Sequence, residues 1–203
     1  MRGGRLLRAV LPLALSGAAL AAAPLSAWLD VPFVAQQKNL CGPASIAMVM
    51  EYWREHGPAG AGPAPGSSAP GQSALGEPAP GESAFGEEIV RALAPQSAHG
   101  LAASAMVRYF RQHGYRAFAY AGDWNELGHE IAQGRPVIAA LRPEGDDELH
   151  YIVVAGIDDP GGVALVNDPA QRKLLKEDRA QFEREWKATG NWTLLAVPGA
   201  GGR

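Results

Sequence analysis

Among the 203 residues there is one cysteine, Cys41, so no intramolecular disulfide can form. The five histidines, at 56, 99, 113, 129 and 150, include no closely spaced pair. That removes the common zinc-hydrolase signatures, which need three or four gathered ligands. Positive charge is also scarce: 18 Lys and Arg face 21 Asp and Glu, for a net charge of −3. Nothing here is basic enough to track a phosphate backbone, so nucleic acid is excluded as a partner. The chemistry that remains calls for no cofactor and no metal.

The N-terminus reads as an export signal. Arg2, Arg5 and Arg8 form a positive region, and Ala9 to Ala27 carries no charge. Small-residue cleavage sites end at Ala23 and at Ala27, which predicts a signal peptide over residues 1–27. The alternative is an uncleaved anchor over residues 9–27, the only part of the chain that would touch a membrane. Losing residues 1–27 removes three basic residues and no acidic one, leaving a net charge of about −6. The expected destination is the periplasm or the extracellular space. In that oxidising setting a lone thiol is either reactive or paired between chains.

Residues 28–198 read as one domain interrupted by a low-complexity insert over residues 57–84, with a short tail at 199–203. From Gly60 to Ser83, 20 of 24 residues are Gly, Ala, Pro or Ser. Such a segment has too little to bury to offset its ordering entropy and is expected to be disordered. A lid or a Pro-rich ligand is the alternative. About 150 other residues suffice for one sizeable core.

The pattern predicts helices over Pro43–His56, Glu87–Leu93, Leu101–His113 and, capped by Asp123, up to about Gln133. Strands are expected at Arg116–Tyr120, Pro136–Leu141, Leu149–Ile157 and Val163–Val166. A helix at about Asp178–Lys187 and a strand at Trp192–Val197 follow. Helices first and an antiparallel sheet afterwards describe an α+β domain.

Cys41 stands directly before the uncharged run Ala44–Met50. The start of a helix favours a thiolate, because its free N–H groups and its dipole favour negative charge. A cysteine nucleophile needs a base within reach, and usually a third group to orient that base. His56 falls at the wrong end of its helix, His113 and His129 fall on solvated helix faces, and His99 lies in a loop. His150 opens an apolar strand, and Asp168 ends the returning one in Val166-Asn167-Asp168-Pro169. The intervening Asp158-Asp159-Pro160-Gly161-Gly162 is a turn by composition. A turn centred near residue 159 or 160 sets His150 and Asp168 across the ladder from each other, within one register step.

Four blocks carry a resemblance: Val31-Pro32-Phe33-Val34-Ala35-Gln36, Cys41-Gly42-Pro43-Ala44, His150-Tyr151-Ile152-Val153-Val154, and Val166-Asn167-Asp168-Pro169. Together they resemble the papain-like cysteine peptidases, in particular the bacteriocin-processing peptidases that cut after a double-glycine leader and their stand-alone bacterial relatives. The resemblance implies a papain-like fold, with the nucleophile at a helix N-terminus packed on an antiparallel sheet. It implies Cys41 as nucleophile, His150 as base, Asp168 as the residue orienting the imidazole, and a peptide or protein substrate. The family also places an oxyanion-binding glutamine shortly before the cysteine. Gln36 fits that pattern, with Gln37 as the alternative, because the spacing to Cys41 is one residue short. The same three side chains would serve an acyltransferase or transpeptidase, and a papain-like groove without turnover would make a peptide-binding module. The sequence carries no signature of oligomeric state.

Overall fold

The uncharged stretch after Cys41 folds as a buried helix laid on a sheet of seven strands. The computed structural model describes residues 26–57, 83–94 and 100–199. Along the chain run β1 (Ser26–Trp28), α1 (Cys41–His56), α2 (Ser83–Leu93), α3 (Ala103–Gln112), β2 (Tyr115–Ala121) and α4 (Trp124–Ala132). Then come β3 (Val137–Leu141), β4 (His150–Asp158), β5 (Val163–Asn167), β6 (Leu175–Asp178), α5 (Arg179–Lys187) and β7 (Trp192–Pro198). The sheet order is β2-β7-β3-β4-β5-β6, with β1 added on β4, and every pairing is antiparallel. This is the expected α+β arrangement of helices against an antiparallel sheet.

Residues Cys41 to Trp53 of α1 are all buried, which is why the sequence there is apolar all round rather than striped. Side-chain hydrogen bonds fix the helix on the sheet. Ser45 Oγ donates to the Tyr151 carbonyl at 3.3 Å, Tyr52 Oη to Gly134 at 2.9 Å, and Trp53 Nε1 to Ala196 at 2.8 Å. On another side α2 covers α1. The buried Glu51 carboxylate accepts from the Gly86 N–H at 2.8 Å, and the Arg54 guanidinium lies over the Phe85 ring. A Cβ on Gly86 would come within 2.8 Å of that carboxylate and 2.9 Å of Val34, so the glycine is what lets the two helices approach.

The long central strand β4 pairs with β3 along its first half and with β1 along its second. Its buried run, Tyr151 to Ile157, sits among Ile138, Leu141, Phe182 and Ile46 in the core. Asp123 and Glu126 form the expected reciprocal capping box at α4.

Three elements depart from the expectations. β6 was not foreseen, because Leu175-Lys176-Glu177-Asp178 has one apolar residue; pairing with β5 makes it a strand. α2 begins at Ser83, four residues before the expected start at Glu87. β1 includes Ser26 and Ala27, which the sequence assigns to the signal segment. The rest of that segment, residues 1–25, lies outside the described residues, as do 58–82 of the insert, 200–203 of the tail, and His99.

Candidate active site

Cys41 is the first residue of α1, and no side chain caps the helix there. The first intrahelical bond runs from Ala44 N to Leu40 O. The amides of Cys41 and Gly42 therefore precede the ladder, and Pro43 has no N–H to leave orphaned. No acidic residue occupies the first turn to compete for the positive end of the helix. A Cβ at Gly42 would lie 3.0 Å from the Leu101 side chain, so glycine next to the cysteine allows the 100–102 loop to close over the helix start. The thiol is free and 7% exposed.

The hairpin of β4 and β5 brings the imidazole and the carboxylate to one end of the sheet. Its register sets the two one step apart on the ladder, within the expected range. Val153 pairs with Asn167 and Val154 with Val166, then a bulge shifts the ladder to Gly156 with Leu165. Asp168 thus falls opposite Ile152, diagonal to His150 on the same face. The bulge absorbs one residue, and Asp168 lies just past the end of β5, where the chain turns. Diagonal placement still allows contact: His150 Nε2 is 2.7 Å from Asp168 Oδ1. The other ring nitrogen remains for the sulfur, and the Cys41 side chain lies close enough to help hold the proton on His150.

Asp168 is held on every side. Oδ1 also accepts from the Ala170 N–H at 2.8 Å, and Oδ2 accepts from Gln171 Nε2 at 2.6 Å. Burial opposes its ionisation, but the hydrogen bond and charge of His150, with the Ala170 and Gln171 bonds, hold its carboxyl below the ordinary range. Burial likewise works against a charged His150. Hydrogen bonds to Asp168 and Cys41, and their negative charges, prevail and push its pKa up to about 10.

The segment that carries Gln36 is fastened to the same turn. The fully buried Asn167 donates through Nδ2 to the Val31 carbonyl at 3.0 Å and the Pro32 carbonyl at 3.3 Å, and its Oδ1 accepts from Leu174 N–H. Gln36 N–H donates to Pro169 O at 2.8 Å. Gln36 lines the cleft with one buried, unpartnered amide oxygen, whereas Gln37 is exposed and is not among the lining residues.

The cleft is a cavity of about 840 Å³ into which Cys41, His150, Asp168 and Gln36 all open. Sequence reasoning missed Gln171 and Asn167. The signal was there for both: polar side chains flanking Asp168-Pro169 at a strand end, where buried amides need partners. It also missed Glu177 of β6 and Glu185 of α5, which line the same cleft. Of the remaining histidines, His56 has Nδ1 2.9 Å from the Tyr52 carbonyl at the far end of α1. His113 and His129 are exposed.

The model of the family described as "Peptidase_C39 like family" matches residues 28–194. Among solved structures, a double glycine motif protease from an AMS/PCAT transporter, in complex with the leader peptide, is similar in fold. It is 24% identical, the match covers 85% of this chain and 94% of that one, and the TM-score is 0.55. The peptidase domain of Streptococcus ComA, a bi-functional ABC transporter involved in a quorum sensing pathway, is 19% identical over 82% of this chain and 97% of that domain, with a TM-score of 0.51. No curated protein matches the chain in sequence.

Proposed function

This chain belongs to the Peptidase C39-like family, and from that premise we propose that it is an exported cysteine peptidase acting through Cys41, His150, Asp168 and Gln36. One observation carries the reading. A free thiol at an uncapped helix start opens into the same cleft as an imidazole hydrogen-bonded to a buried carboxylate, and the thiol lies close enough to the imidazole to help hold its proton.

Cys41 acts as a thiolate beside protonated His150, and its sulfur attacks the carbonyl carbon of a peptide bond. The oxyanion that forms accepts hydrogen bonds from the Cys41 backbone N–H and the Gln36 side-chain amide. His150 gives its proton to the departing amine, which leaves as the C–N bond breaks and a thioester remains. Water then attacks the thioester, with His150 taking the proton, and the free acid departs. Asp168 holds the ring in one orientation and stabilises its charged form, while Gln171 and the Ala170 N–H hold Asp168. A peptide substrate accords with the leader peptide bound by the transporter protease of similar fold. Export rests on the N-terminal sequence alone.

A digest of a peptide library by the wild type and by Cys41→Ala tests the proposal. Cleavage products are expected with the first and none above background with the second. Equal products from both, or alkylation of Cys41 by iodoacetamide no faster than that of a free thiol, would overturn it.

A further inference from the structure

The walls of the cleft have a one-sided charge. Asp146, Asp147 and Glu148 stand exposed at the rim, and Glu177 and Glu185 line the interior beside Asp168. Among the described residues that line the cavity there is no lysine or arginine, so His150 is the only positive group facing this array. One oxygen of Glu177, Oε2, is buried and accepts no hydrogen bond. Glu185 Oε1 accepts only from the neutral Gln181 side chain at 3.1 Å.

Leaving a buried carboxylate oxygen unpaired costs free energy unless an incoming donor satisfies it. Burial and the neighbouring carboxylates of Glu185 and Asp168 push the Glu177 carboxyl up to about 7, with His150 pulling the other way. An added positive charge at that wall would relieve both costs. A bound metal ion is the poorer occupant, because no three His, Cys, Asp or Glu side chains among the described residues converge as ligands. The carboxylates run from the exposed Asp146, Asp147 and Glu148 to the half-buried Glu177 and Glu185, which suits an extended chain with cationic side chains.

We propose that the Glu177 and Glu185 wall selects peptides bearing a lysine or arginine near the scissile bond, with the acidic rim drawing such peptides in. The inference rests on the peptidase reading given above. The rim acts at longer range, raising the encounter rate for cationic chains in a manner that salt weakens. The interior pair acts at contact, where a desolvated ammonium or guanidinium finds the unsatisfied oxygen.

The test uses matched peptides that differ only by Lys or Arg against Gln at each position around the cleaved bond. In the wild type, kcat/KM is expected to favour the cationic peptide by about 10- to 100-fold at one position or more. That ratio should fall to within about threefold in Glu177→Gln, and part of the way in Glu185→Gln. A ratio near one in the wild type, or one unchanged in both variants, overturns the inference and leaves the peptidase reading standing. If no peptide is cleaved, the peptidase reading fails, and binding to Cys41→Ala still decides the inference. Fluorescence anisotropy should then show tighter binding of the cationic peptides, lost in Cys41→Ala/Glu177→Gln, and equal affinity for both peptide types refutes it.

Discussion

Gln36 and Gln37 are neighbours in the chain, yet only one of them faces the sulfur's cleft. Gln36 is pinned through its backbone to Pro169, in the turn that carries Asp168, while Gln37 is exposed. Gln36→Ala should therefore lower kcat by about 10²–10³, the scale for one oxyanion donor, and Gln37→Ala should change it less than about twofold. Steady-state kinetics of the two variants decide the assignment, and the reverse pattern would move the role to Gln37. A second prediction concerns protons. His150 must be charged to give its proton to the leaving amine, so activity falls as pH rises through its pKa, about 10 in the wild type. Asp168→Asn removes both a hydrogen bond and a negative charge from the ring. The alkaline limb of the kcat/KM profile should then move down by about 1–3 pH units, together with a loss of rate. An unmoved limb would mean that another group sets it. The same pair contributes to stability with opposite pH senses. The His150 share is complete below the unfolded value near 6.5 and is lost toward 10, and the Asp168 share is complete above its unfolded value of 3.8 and is lost below it.

Elements explain both what the sequence revealed and what it concealed. α1 was legible because ten residues, Cys41 to Met50, with no charge among them have no stable place outside a core, and a Cys-Gly-Pro start is a helix N-terminus by its chemistry. The β4–β5 hairpin was legible as a pair of apolar runs about a turn, but the bulge that settles its register was not. A bulge at Ala155 follows from packing between β1, β4 and β5 rather than from any local composition. β6 was hidden for a related reason: its half-exposed alternation carries one apolar residue, and long-range pairing decides it. With β6 went Glu177, which is why the acidic wall had no sequence signal. β1 bears on processing. Ser26, Ala27 and Trp28 pair with Asp158, Ile157 and Gly156, and Ala27 is buried. Cleavage after Ala27 would remove two of the three strand residues and uncover the second half of β4. An exported chain is therefore expected to be cut upstream, after Ala23. Intact mass and N-terminal sequencing of the exported protein check this, and a mature chain starting at Trp28 would refute it.

At the scale of the whole molecule, the cleft and the point where the low-complexity insert leaves the fold lie at opposite ends of one helix. Cys41 starts α1 and His56 ends it, 15 residues later, or about 22 Å along the axis. The two flanks of the insert are tied together locally. Glu51 accepts from Gly86, and Arg54 stacks on Phe85, so the end of α1 and the start of α2 are held in direct contact. The tie between the insert's flanks was not visible in the sequence, since Gly86 and Glu51 are a structural pair with no motif. Ser83 opens α2, so the cut should stop short of it. Deleting residues 60–81 leaves Gly57, Pro58, Ala59 and Glu82 as the connection, a length common between packed helices. That variant should keep kcat/KM for a peptide substrate within about twofold and lose little thermal stability, because the entropy of closing a connection changes only slowly with its length. Kinetics and a thermal melt on the deletion variant provide the check. A large fall in kcat/KM with an unchanged melt would mean that the insert reaches across the molecule to the substrate. A fall in both would mean that α2 depends on the insert for its place against α1.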